Sequence, residues 1–236
     1  MSIATTRVVL AARIKTHPSV FLPIARMRED GKRTAVRRDS DLVIEGYWRC
    51  ANHFAVNAFI VAQPRPVHVA HHFHAPAQLM LAVRWNVPAL LLIREPVAAV
   101  SSATVFLEHD DPRPLLKFYN IFHEALVPYR EQLVVSDFPR TTNDFGSVIA
   151  EINERYGRNY ALFHGTPEER ERVEALIREE HSGNMQGNVA TLPLPSEEKE
   201  RRKTRIMERL LSHECTALLA QARHYYQTFV KYSKTA

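Results

Sequence analysis

The chain has 236 residues, 45% apolar and 24% charged, with 31 Lys and Arg against 26 Asp and Glu. That size and balance exclude wholesale disorder and supply enough apolar surface for a real core. Only 7 glycines occur, and neither GxGxxG nor GxxxxGK[ST] is present, which excludes the two commonest glycine-rich nucleotide loops. Cys50 and Cys215 are too few for a disulfide framework or a Cys-rich zinc site, and they fit a reducing, cytoplasmic compartment. No stretch approaches the ~20 apolar residues of a membrane span. The net charge of +5 suits an anionic small ligand, an acidic polymer or a membrane surface, without choosing among them.

Residues 1–40 read as a basic helical segment. Val9, Leu10 and Ile14, then Phe21, Ile24, Ala25 and Met27, give two short apolar faces, and Arg26 to Arg38 reads as a solvated connector. Asp41 to Gly46 reads as a short buried strand. A helix is expected from Asn52 to Gln63, ended by Pro64. Val67 to Ala70 is a second strand, Pro76 to Trp85 a helix, and Pro88 to Ile93 a strand apolar on both faces. Pro96 opens the next helix at a first-turn position. Gln132 to Ser136 is a further strand, followed by helix to about Tyr156. From Ser196, a capping residue, a long helix is expected, with Met207, Leu211, Cys215, Leu218, Ala222, Tyr225 and Phe229 on its core face. Strands alternating with helices predict an α/β fold: a parallel central sheet of about four to five strands flanked by helices, with a helical C-terminal part.

In open α/β sheets, ligands bind beyond the carboxyl ends of the strands. After the first strand come Tyr47, Trp48, Arg49, Cys50, Ala51, Asn52, His53 and Phe54. After the second come His71, His72, Phe73 and His74, and after the third Arg94, Glu95 and Pro96, with Ser102 on the following helix. Three strand ends that each offer cationic or titratable groups suggest an anion pocket. A strand-to-helix turn presents backbone N–H groups, and Arg adds a planar donor fork. The alternative readings are that Arg49 pairs with a surface acid, that Arg94 forms an internal ion pair with Glu95 or Glu45, and that Asn52 caps its helix.

These segments resemble the sulfotransferase family. Gly46 to Phe54 is similar to that family's phosphosulfate-binding loop. Ile93-Arg94-Glu95-Pro96 with Ser102 is similar to its Arg-x-Pro and Ser motif. His74-Ala75-Pro76-Ala77-Gln78-Leu79 is similar to its His-Leu-Pro-x-x-Leu segment. The resemblance covers roughly residues 41 to 156. It implies a single domain over 1–236, built as a P-loop-like three-layer sandwich, with a donor-binding core at 41–156 and a helical part at 157–236. It implies 3′-phosphoadenosine 5′-phosphosulfate as donor and a hydroxyl acceptor, with a carbohydrate or lipid-linked sugar suggested by analogy. Arg49 would contact the bridging oxygen and the 5′-phosphate. Backbone N–H groups of Cys50, Ala51, Asn52, His53 and Phe54 would wrap that phosphate, with side-chain bonds from Asn52 and His53. Arg94 and Ser102 would hold the 3′-phosphate, and His74, or His72 in its place, would be the base. Acceptor walls would come from 104–130 and 157–195. No metal and no nucleic acid are expected, and peripheral membrane contact is compatible with the basic N-terminal segment.

The sequence also departs from the family. Ala51 stands where Gly is usual, Arg49 where many members have Lys, and His53 where a hydroxyl donor is usual. The family's C-terminal Arg-Lys-Gly segment is absent; Arg201, Arg202, Lys203 and Arg205 offer only cations. An altered loop leaves a second reading, a nucleotide- or polyanion-binding relative without transfer activity. His68, His71, His72 and His74 lack an acidic or thiol partner in sequence for zinc. Cys50 lacks the Arg five residues on that a phosphatase-type loop needs, since that position is Val56.

Overall fold

The computed structural model describes residues 3–29, 31–184 and 197–233. Four parallel strands form the sheet: β1 (Leu42–Gly46), β2 (Val69–His71), β3 (Ala89–Ile93) and β4 (Val134–Asp137), in the order β2-β1-β3-β4. Every residue of β1 and β3 is buried, which is why these strands read as continuous rather than alternating apolar runs. Glu45 lies opposite Leu91, and Gly46 opposite Leu92. Gly46 is required by that pairing: a Cβ there would lie 2.5 Å from the Leu92 carbonyl oxygen.

Preceding the sheet are α1 (Ile3–Ile14), α2 (Pro18–Met27) and α3 (Gly31–Thr34). The crossovers carry α4 (Asn52–Ala62), α5 (Pro76–Trp85), α6 (Pro96–Phe106) and α7 (Arg113–Leu126). After β4 come α8 (Phe138–Asn143), α9 (Phe145–Tyr156), α10 (Pro167–Asn184), α11 (Glu197–Leu210) and α12 (Thr216–Val230). One layer joins α4 to α9 and α10. The other joins α5 and α6 to α7, with α1 and α12 packed on α7. Right-handed crossovers account for the two layers, because β1 leads to β2 in one direction and β3 leads to β4 in the other.

Three local expectations are corrected. The strand expected at Val67 to Ala70 forms at Val69–His71. His68 instead fixes the strand entrance: its N–H donates to Asp41 Oδ2 at 2.7 Å, and its ring meets Ser40 and Arg33. The Arg26 to Arg38 connector is only partly solvated. It contains α3, and it buries Ala35 and Val36, whose N–H donates to Gln78 Oε1 at 2.6 Å. Of the apolar positions expected near it, Phe21 and Ala25 are buried, but Leu10, Ile24 and Met27 face solvent.

The long C-terminal helix is two helices, with a 3₁₀ turn (His213–Cys215) between α11 and α12. The buried positions are Ile206, Leu210, Cys215, Leu219, Ala222 and Phe229, while Leu211 is 57% exposed. The step of five residues from Leu210 to Cys215 is where the chain turns, and it resets the apolar face. Ser196 lies outside the described residues.

Candidate functional site

The strand order reverses between β1 and β3, so their carboxyl ends open a crevice at a topological switch point. Arg49, after β1, and Arg94, after β3, meet there. Arg94 Nη1 donates to the Arg49 carbonyl at 2.9 Å, and Arg49 Nε donates to Ser102 Oγ at 3.1 Å. The Arg94 guanidinium lies 4.0 Å over the Phe138 ring, and that of Arg49 lies 5.0 Å over Phe106. Neither forms an ion pair with a carboxylate among the described residues, which sets aside the internal ion pair considered for Arg94. Burial, and then the neighbouring Arg94, pull the Arg49 pKa below its usual value; burial does the same to Arg94. Two half-buried cations thus lie side by side, with the adjacent Glu95 acting on Arg94 but making no direct ion pair with it among the described residues.

Two tyrosines fix the loops from beneath. Tyr47 OH donates to the Leu115 carbonyl at 3.1 Å, and Tyr119 OH donates to the Arg94 carbonyl at 2.9 Å. Their rings pack edge to face, 5.1 Å apart. Both loops are thereby tied to α7.

Ala51 is the residue before α4. Its φ of 69° places it in the left-handed region, the shape that a family Gly would supply. Arg49 (φ 64°), His72 (φ 62°) and His74 (φ 49°) share it, so among the described residues four of the six non-glycine residues at positive φ lie in two adjacent loops. Strained backbone clusters at functional sites because the surrounding fold must hold it there. The N-terminus of α4 has no side-chain cap and no acid in its first turn.

Side-chain roles in that turn differ from expectation. Asn52 Nδ2 donates to the Tyr47 carbonyl at 3.0 Å, so the side chain braces the loop from within. His53 Nδ1 pairs with Glu180 Oε2 on α10 at 3.0 Å, and Asn57 Nδ2 donates to the same oxygen. Phe54 packs on Phe145 and Phe163. What this turn presents to a ligand is therefore backbone. The Cys50 thiol is buried and pushed up to about 12 by that burial, which removes it as a nucleophile.

His74 Nδ1 lies 2.9 Å from the Gly46 carbonyl. A carbonyl only accepts, so Nδ1 holds the proton and Nε2 carries the lone pair. The ring packs on Trp48 at 5.4 Å. Burial, then the charge of Lys15, lower its pKa to about 3, so it is neutral at any physiological pH. His72 lies with its ring 4.0 Å from His53 and 6.3 Å from His74, and its Nδ1 contacts His71 Nδ1. Despite this crowding, no three His, Cys, Asp or Glu among the described residues converge on a metal position.

Sequence reasoning missed Lys15 and passed over Glu45 except as a partner for Arg94. Glu45 is fully buried in β1. Its Oε1 accepts from Gln78 Nε2 at 2.8 Å and from the Phe73 N–H at 2.9 Å, and burial still pushes it up to about 7. Lys15, from the end of α1, donates to the Phe73 carbonyl at 2.6 Å and lies over the Trp48 and Phe118 rings. Burial lowers it to about 8, against the attraction of Glu45. An acidic residue inside an apolar strand was the available signal for Glu45. Nothing local marked Lys15, which is one of many N-terminal cations.

No protein-family model matches the chain, and no curated protein matches it. The described helices include none long and apolar enough to cross a membrane.

Proposed function

We propose that this protein is a sulfotransferase that moves a sulfuryl group from 3′-phosphoadenosine 5′-phosphosulfate to a hydroxyl acceptor, with a carbohydrate or glycolipid as the acceptor class. The observation that carries the reading is the pair Arg49 and Arg94, joined where Arg94 donates to the Arg49 carbonyl, with Ser102 accepting from Arg49 and no ion pair to a carboxylate among the described residues, beside the N-terminus of α4. In this reading Arg94 and Ser102 hold the 3′-phosphate, and Arg49 with the first N–H groups of α4 holds the 5′-phosphosulfate. The acceptor oxygen attacks sulfur in line, and the bond from sulfur to the bridging oxygen breaks. The bridging oxygen leaves with the electron pair, stabilised by Arg49. His74 Nε2 takes the acceptor proton. Positioning and preorganised cations supply most of the acceleration.

A histidine at about 3 is a weak base. An anionic donor bound at the two arginines raises its proton affinity, which couples base strength to donor binding. The same low value, with His53 engaged by Glu180, favours a second reading, a donor-binding relative without transfer activity.

Calorimetry with 3′-phosphoadenosine 5′-phosphate tests the first step. Binding is expected, and Arg94→Ala should weaken it by about 10- to 100-fold, the weight of one charge-assisted contact. Absence of binding would sink the donor site. Binding without transfer of labelled sulfate to any saccharide, glycolipid or small-alcohol acceptor selects the second reading.

A further inference from the structure

α2 is apolar on two sides. Phe21 and Ala25 are buried against a small cluster with Phe73, and the Phe21 and Phe73 rings meet edge to face at 5.3 Å. Val20, Pro23, Ile24 and Met27 occupy positions i, i+3, i+4 and i+7 of the same helix. That spacing forms one stripe, and in most surface helices such a stripe faces the core. Here it faces outward: Val20 is 47% exposed, Ile24 48% and Met27 84%, and Pro23 is exposed as well. Leu10 of α1 is also exposed. Among the described residues, four of the seven exposed large apolar side chains thus fall between residues 10 and 27. Scattered exposed apolar residues need no explanation, but a continuous stripe does.

The charge of the chain is gathered in the same segment. Residues 1–40 hold nine Lys and Arg against three Asp and Glu, whereas residues 41–236 hold 22 against 23. The whole positive excess therefore belongs to the first 40 residues. Arg13, Arg28, Lys32 and Arg33 are exposed there.

We infer that the outward face of α2, with the cations that flank it, docks on an anionic lipid surface. Aliphatic side chains enter the boundary between headgroups and acyl chains, and Lys and Arg engage the headgroup phosphates and carboxylates. The stripe contains no aromatic side chain on which a nucleic-acid base could stack, which disfavours a nucleic-acid partner. The inference goes beyond the sulfotransferase reading and does not depend on it. It does set the docked helix against the loop that bears His74, through the contact of Phe21 with Phe73.

Co-sedimentation of the full chain with vesicles tests it. Binding is expected with phosphatidylcholine–phosphatidylserine vesicles, weakly or not at all with phosphatidylcholine alone, and less at high salt. The double variant Ile24→Asp, Met27→Asp should lower partitioning about tenfold or more. Its melting temperature should stay close to that of the parent, because both side chains are solvent-facing. Lys32→Glu with Arg33→Glu should weaken binding as well, and Leu211→Asp, exposed but remote in sequence, should not. Equal sedimentation with both vesicle types overturns the inference. So does a response to the charge reversals without any response to the apolar pair, which would mark a general polyanion surface such as one for duplex DNA.

Discussion

Ala51 holds a left-handed backbone that costs an L-residue about 1–2 kcal/mol. It also begins α4 without a capping side chain, a position where Gly is better tolerated than Ala. Ala51→Gly should therefore stabilise the fold by about 1 kcal/mol, after allowing for the greater freedom of Gly in the unfolded chain. The shift of a urea midpoint measures it. Gly46 is the opposite case. Gly46→Ala drives a methyl into the Leu92 carbonyl and should cost about 1–3 kcal/mol in the same assay. Both residues stand out in the sequence, but for different reasons. Gly46 is marked by ending an apolar strand. Ala51 is marked only by comparison with a family loop, since no local propensity predicts positive φ for Ala.

At the scale of elements, α11 and α12 were read from one apolar periodicity and proved to be two helices with a turn between them. A period is a local property. Whether it is continuous depends on where the chain meets α6 and α7, which α12 packs against. Adjacent leucines separate the two descriptions. Leu210→Ala should cost about 2–5 kcal/mol, the range for a buried leucine, whereas Leu211→Ala should lie within about 0.5 kcal/mol of the parent. Equal costs from thermal or chemical unfolding would restore the single helix. The contact of α10 with α4 through Glu180 and His53 is partly exposed, so Glu180→Gln should lower stability by less than about 1 kcal/mol. Sequence spacing could not have paired residues 53 and 180; only the docking of α10 on α4 does.

Among the described residues, desolvation lowers three histidines, the buried His123 and the half-buried His71 to about 4 and the half-buried His74 to about 3. Their folded pKa values lie below the ordinary 6.5, so the unfolded chain binds more protons in that window. Their contribution to stability is complete above about 6.5 and is lost as pH falls toward 4. Glu45 acts in the opposite sense: raised to about 7, it favours the folded state below its ordinary value and loses that effect as pH rises through 7. The lowered carboxyls of Asp41, Asp111 and Glu180 act in the same sense as the histidines, so the melting temperature should fall on acidification from pH 6.5 to 4. His123→Asn, which removes one of the three away from the candidate site, should make that fall shallower. A melting temperature that is flat or rising over this range would contradict the assignment of neutral histidines.

The alternation of apolar strands and helices was enough to specify a parallel α/β sheet. It also marked the loops after β1, β2 and β3 as the places for chemistry, because side-chain period and proline placement are local signals. Arg49, Arg94 and Ser102 were legible for the same reason, each lying at a fixed distance from a strand end. The tertiary structure decided the rest. The order β2-β1-β3-β4 brings residues 49, 94 and 102 to one crevice, while the Tyr47 carbonyl and Glu180 of α10 take up the side chains of Asn52 and His53. Long-range packing carries Lys15 and Glu45 beneath His74. Those outcomes depend on contacts between residues far apart in the chain, where local propensity carries no information. The glycine shortage was thus a true but partial signal: it excluded the common phosphate loops, while the fold supports a loop made from one close-packed glycine and an alanine held in a glycine-like conformation.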